Sequence, residues 1–337
     1  MMMSLARQPG NISALDWYKS RGLNAMIATA TNTEGGMFFQ PDNRDLDATS
    51  AGIVNIRSFI QLAADRNING MLCTAWDDKS PHMENYWRGF IASAEYSWSP
   101  NRRTLEEYDN ASLQREFGIS MADYLSFTNQ LQKGSVLWYE AFFRNGNQLS
   151  DENALQSLTQ LEHWLKPLEG REKIQFDYTS KLIELPDLKS PGSWSQKYKN
   201  RLDKAIIEMN NYKNLSERLT ELCNTSKRNR YYWSLSKVLY DLQSNTPRIL
   251  IALKECDSAD KVKQKSGMGN IKKAMNDFQR VWTEVQSVYG ETRFVSYPSN
   301  YLPDRYFHLA SQREDLSWMI QAQELFFGMI EKWLQSQ

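Results

Sequence analysis

Gly70 to Ser99 reads GMLCTAWDDKSPHMENYWRGFIASAEYSWS, and this stretch decides how the rest of the chain is organised. Gly70 to Trp76 is a short apolar run with no polar alternation beyond Thr74, the pattern of a parallel-sheet strand covered on both faces. Trp76, Asp77 and Asp78 end it. Ser80 then caps a helix whose first position is Pro81, where a missing N–H costs nothing, and Glu84 sits in the first turn where the helix dipole favours a carboxylate. Met83, Tyr86, Trp87, Phe90, Ile91 and Ala94 recur at helical spacing as one apolar stripe. In βα architectures chemistry collects at the carboxyl ends of strands, which makes Trp76, Asp77 and Asp78 the first place to look for a ligand.

Upstream, Ser13–Arg21 reads as the end of a helix stopped by Gly22, and Asn24–Thr31 as a strand. A polar loop, Thr31–Thr49, follows, of a length often reserved for function. Ile53, Ile56, Ile60 and Ala63, with Phe59 and Ala64, trace the buried face of the next helix. The order helix, strand, loop, helix, strand, helix describes two consecutive βα units with a right-handed crossover.

From Ile119 strand-like runs nearly vanish. Met121–Phe143, Asp151–Leu165, Gln196–Cys223, Arg228–Cys256, Met268–Tyr289 and Arg313–Leu334 are long amphipathic stretches, the signature of a helical bundle. Leu185–Trp194, with two prolines and a glycine, is the clearest break inside it. Lys261–Lys273 is basic and contains glycine, and reads as a solvated turn, since no GxxxxGK[ST] pattern is present. The Tyr231–Trp233 triplet reads as a helix packing face, with an exposed binding patch as the alternative.

Lys plus Arg and Asp plus Glu both total 40 in 337 residues, so net charge is zero, which argues against a dedicated nucleic-acid binder. The three cysteines, Cys73, Cys223 and Cys256, imply neither a disulfide framework nor a zinc site. His82, His163 and His308 stand apart from one another, so no metal or other cofactor is expected. No run approaches the roughly 20 apolar residues of a membrane span. Two parallel strands alone leave open edges, which a missing N-terminal segment or an oligomer would have to cover.

Gly70, Trp76 with Asp78, and then Trp87, Ala92, Glu95, Trp98 and Ser99 form a pattern that resembles the last barrel strand and helix of family 20 glycoside hydrolases, the β-N-acetylhexosaminidases. Leu15–Thr31 is similar to that family's penultimate helix and strand. The resemblance implies an α/β plus all-α chain. Residues 1–118 would be the C-terminal βα units of a (β/α)8 TIM-type barrel, incomplete here, and 119–337 an α-helical bundle like the extension of some bacterial members.

It further implies the C-terminal portion of an enzyme that removes terminal N-acetylhexosamine from glycans, with the substrate's own 2-acetamido group as nucleophile. That family's Asp-Glu pair has no counterpart here, since no HxGGDE-like segment occurs, so no catalytic residue is assigned and the chain alone is expected to be inactive. By family position Trp76 would stack on the sugar and Asp78, where the family has the longer Glu, would accept from its hydroxyls. Asp77 would support them, and Asn32 and Glu34, which otherwise read as solvated loop, could face the same pocket. The parent protein would be periplasmic or secreted. The alternative function is a non-catalytic carbohydrate-binding or helical scaffolding module.

Overall fold

The computed structural model describes residues 2–4, 12–31, 52–74, 84–100, 102–144, 182–292 and 320–337. These divide into two compact units. The first comprises the described residues of Met1–Gln132 with Asn224–Tyr232, and the second those of Lys133–Cys223, Trp233–Phe307 and Arg313–Gln337.

In the first unit β1 (Met2–Ser4), β2 (Met26–Ala30) and β3 (Met71–Thr74) form a parallel sheet in sequential order. The register pairs Met2 with Met26, and Ile27, Ala28, Thr29 and Ala30 with Met71, Leu72, Cys73 and Thr74. Helix α1 (Ile12–Ser20) ends as its glycine requires: Gly22, at φ 65°, donates to the Lys19 carbonyl at 3.0 Å while Leu23 N–H reaches the Tyr18 carbonyl at 3.1 Å. Helix α2 (Ile53–Asp65) buries Ile53, Ile56, Phe59, Ile60 and Ala63. Helices α3 (Glu84–Trp98) and α4 (Leu105–Glu116) follow.

The core joins Leu15, Ile27, the α2 stripe, Ala92, Tyr96 and Tyr108, with Met71 packed against it. Ile27 and Met71 are register partners and share one sheet face. Met26 and Leu72, on the other, are 47% and 40% exposed. Two expectations fall here. The strand after Gly70 is not covered on both faces, because Met71–Thr74 is too short a run to fill two layers. The C-terminal part of a TIM barrel is not what the chain builds: among the described residues there are three short parallel strands in an open sheet, and nearly all other regular structure is helix.

The stripe expected on α3 is also rotated. Tyr86, Ala92, Ser93 and Tyr96 are buried, whereas Trp87 is 54% exposed and Ala94 faces out. Small residues explain the shift. A Cβ on Gly89 would lie 2.6 Å from Thr31 Cγ2, so the backbone of α3 approaches the sheet along its Gly-Ala-Ser edge and leaves its large aromatics at the flank.

The second unit is helical: the later part of α5 (Tyr124–Glu140), then α6 (Ser193–Lys197), α7 (Lys199–Thr225), α8 (Arg230–Gln243), α9 (Asn245–Cys256), α10 (Lys261–Gly290) and α11 (Gln321–Gln335). A helical domain was expected and is present. Its aromatic core stacks Phe142 on Phe326 (4.2 Å between centroids) and sets Phe278 edge-on to Phe327 (4.9 Å). The stretch expected as one helix from Arg228 to Cys256 is broken at Ser244, beyond which Pro247 occupies the first turn of α9. Asp151–Leu165 lies outside the described residues.

Lys261–Lys273 is not a turn. Asp260 caps α10, its Oδ1 accepting from Val262 N–H at 2.8 Å, and the helix runs from Lys261 with Gln264, Gly267, Ile271, Ala274 and Phe278 on its buried face. Gly267 is what lets α10 lie against α9, since a Cβ there would meet the Ala252 carbonyl oxygen, Cys256 N and Cys256 Sγ, each at 2.8 Å. Gly267→Ala is therefore expected to cost about 1–3 kcal/mol. Gly269→Ala, with nothing within 4 Å, should gain about 0.5–1 kcal/mol. Equilibrium unfolding of the two variants checks the opposite signs. No helix among the described residues is long and apolar enough to cross a membrane.

Candidate functional site

Two helix faces in the first unit make a cleft. Glu84, Trp87, Arg88 and Ile91 stand at i, i+3, i+4 and i+7 of α3, and Asp109, Ser112, Leu113 and Glu116 at the same spacing on α4. Phe117, Tyr124 from the first turn of α5, and Tyr232 close the far side, around a small cavity of about 40 Å³ that opens to solvent.

Local chemistry fixes each wall. Thr104 and Glu107 form a capping box that starts α4: Glu107 N–H donates to Thr104 Oγ1 at 3.2 Å, and Thr104 N–H to Glu107 Oε2 at 2.8 Å. These bonds hold the Glu107 carboxyl below its ordinary range. At the other end, Gly118 takes φ 68° and donates to the Leu113 carbonyl. The remaining terminal carbonyls of α4 are taken by a remote segment. Lys227 N–H donates to Phe117 O (2.8 Å), Arg228 Nε to Arg115 O (2.8 Å) and Asn229 Nδ2 to Glu116 O (3.0 Å). This clasp brings Tyr232 to the cleft, where its ring lies 5.2 Å from that of Phe117.

Between the walls, Arg88 Nε donates to Asp109 Oδ1 at 2.8 Å and Nη2 lies 2.7 Å from the same oxygen, in a pair only 11% and 9% exposed. Tyr108 Oη donates to the Arg88 carbonyl at 2.6 Å, locking α4 to α3. The Arg88 guanidinium also sits 5.7 Å from the Tyr124 ring centroid. Burial first, then the neighbouring Tyr124 hydroxyl and a hydrogen bond with it, push the Tyr232 phenol well above its usual range, so it stays protonated. Trp87 stands at the opening beside Phe90 (6.5 Å, edge-on). The cleft thus offers one exposed indole, a rim of carboxylates and a fixed cation.

No protein-family model matches the chain, and no curated protein does. Among solved structures, one match is a glycoside hydrolase. That structure, a GH138 enzyme targeting pectin rhamnogalacturonan II, matches at a TM-score of 0.36 with 10% identity over 98% of this chain and 41% of that one. The chain therefore spans less than half the length of that enzyme. The resemblance to family 20 hexosaminidases is overturned: no family model upholds it, and the open sheet and helical bulk are not part of a barrel.

Trp76, Asp77, Asp78, Asn32 and Glu34 all lie outside the described residues. The strand ends that precede them are adjacent, with Thr31 N–H donating to the Thr74 carbonyl at 2.8 Å. Glu95 pairs with Arg103 at 2.5 Å. Sequence reasoning missed Arg88, Asp109 and Tyr124. The signal within reach was the repeated i, i+3, i+4, i+7 spacing of mixed polar and apolar residues on α3 and α4. Of the Tyr231–Trp233 triplet, Tyr232 lines the cleft and Trp233 is fully buried.

Proposed function

We propose that the mouth of the cleft between α3 and α4 binds a sugar residue of a glycan, with the Trp87 indole as the platform and the carboxylates of Glu84 and Glu116 among the groups that engage hydroxyls. The observation that carries this reading is the exposed indole set at the mouth of a cleft rimmed by carboxylates and a buried Arg–Asp pair. A pyranose presents an apolar C–H face and a polar edge, and needs both kinds of partner at once. Trp76 and Asp78 belong to the same proposal as further contacts, since Asp78 precedes Glu84 by only six positions.

Titration of the full chain against a panel of neutral mono- and oligosaccharides, followed by indole fluorescence and calorimetry, tests it. Trp87→Ala should weaken binding about tenfold to a hundredfold, the worth of the ring area covered, while Trp87→Phe keeps part of it. No binding across the panel, or binding indifferent to Trp87→Ala, overturns the reading.

A further inference from the structure

The first half of α10 carries Lys261, Lys263, Lys265, Lys272 and Lys273, and no carboxylate occurs between Asp260 and Asp277. All five lysines are exposed, and among the described residues none is in an ion pair. Of the carboxylates at the end of α9, Glu255 reaches α10 but accepts there from Asn270 Nδ2 at 2.7 Å, and Asp257, just past the helix, accepts from Ser195 N–H at 2.7 Å. Lys261, Lys265 and Lys272 fall within about 40° of one another around the helix axis, with rises of about 6 Å and about 10 Å between them. They form a straight row along one flank.

Lys261 stands in the first turn, at the positive end of the helix dipole, where a lysine costs stability and an acid would add it, and α10 has no acid in that turn. Its ammonium donates to Gln264 Oε1 at 3.0 Å, and the row as a whole presents a positive flank to solvent, in no ion pair among the described residues.

We infer that this row is a docking surface for a linear acidic polysaccharide, one bearing carboxylate or sulfate groups along its length. Charge complementarity selects a polyanion. No aromatic residue lies between Lys254 and Lys273 to stack on bases, and the chain has no net positive charge to draw in a duplex. The apolar stripe of α10 is packed inward and only Val262, 78% exposed, accompanies the lysines, so the helix has no apolar face to lay on a membrane. Lysine ammonium groups are mobile point charges that follow a flexible chain without demanding the planar geometry an arginine would. The inference is independent of the reading of the cleft.

The test measures binding of alginate oligosaccharides to the full chain at low salt and across a salt series. The comparison is between the parent, the triple variant Lys261→Gln, Lys265→Gln, Lys272→Gln, and a charge-matched control, Lys19→Gln, Lys189→Gln, Lys213→Gln. The row variant should bind about tenfold more weakly with a shallower salt dependence, and the control should bind as the parent does. Trp87→Ala should bind alginate unchanged, which separates a failure here from a failure of the cleft reading. Equal loss in row and control variants, or tighter binding to a DNA duplex or to phosphatidylserine vesicles than to alginate, overturns the inference.

Discussion

Replacing Arg201 by methionine should destabilise the second unit by about 3–5 kcal/mol, the largest effect expected of any single substitution in this chain. Arg201 is 0% exposed. Its Nη1 donates to the carbonyls of Ala141 and Phe143, both at 2.6 Å, and Nη2 to that of Arg144 at 3.2 Å. These carbonyls belong to the turn just after α5, a buried stretch with no helix of its own to satisfy them. The guanidinium also lies 5.4 Å from the Tyr198 ring centroid. Methionine fills much of the volume but donates nothing, so three acceptors would stay dry and unpaired. Arg228 is the internal comparison. It donates to carbonyls in the last turn of α4, but in the first unit and exposed to water, and Arg228→Ala should cost no more than about 1 kcal/mol. Equilibrium unfolding in urea measures both, and a loss below about 1 kcal/mol for the Arg201 variant would contradict this account.

The second large effect is a pH dependence. Burial pushes the Glu208 carboxyl on α7 up to about 7 from 4.5, with Lys133 on α5 pulling the other way. Tyr240 on α8 also faces it, and its phenol is raised above its usual range, mainly by burial with the Glu208 charge next. A Cβ at Gly134 would lie 2.0 Å from Gln243 Nε2 and 3.2 Å from Glu208 Oε2, so both side chains reach into the space that glycine leaves. The raised value belongs to the folded state. Between pH 4.5 and 7 the unfolded chain releases this proton before the folded one does, so stability falls as pH rises through that window and levels off above it. Water still reaches part of the carboxyl, which leaves a penalty of about 2 kcal/mol. Glu208→Gln should therefore match the parent near pH 4 and exceed it by about that amount near pH 8. Thermal melts at the two pH values decide it, and a shift of equal size at both would exclude Glu208 as the source.

Local elements were legible because their determinants are local. Gly22 ends α1, the Ile53, Ile56, Ile60 and Ala63 series marks α2, and the long apolar stripes of α7 and α10 mark helices wherever the structure describes them. What misled was the assignment of faces. Trp87 and Phe90 dominate any hydrophobic count, yet α3 turns Gly89, Ala92 and Ser93 toward the sheet because small residues permit the close approach. Lys261–Lys273 misled in the same way: charge and glycine suggested a loop, while the helix depends on the Asp260 cap and on Gly267 as a contact point. Barrel-like spacing around Trp76 carried no information about how many strands the chain supplies. Nor could the cleft be read as one site: the i, i+3, i+4, i+7 spacing recurs on α3 and α4, but nothing in the sequence joins those two faces to Tyr124 and Tyr232.

The bond from Arg228 to the Arg115 carbonyl joins positions 113 residues apart. Closing so long a stretch costs chain entropy before the contact returns any energy, so the cleft belongs to the late stages of folding. A nascent or truncated chain that stops short of Asn224 presents α4 with bare terminal carbonyls and lacks the Tyr232 wall, whatever its sheet and first helices have already achieved.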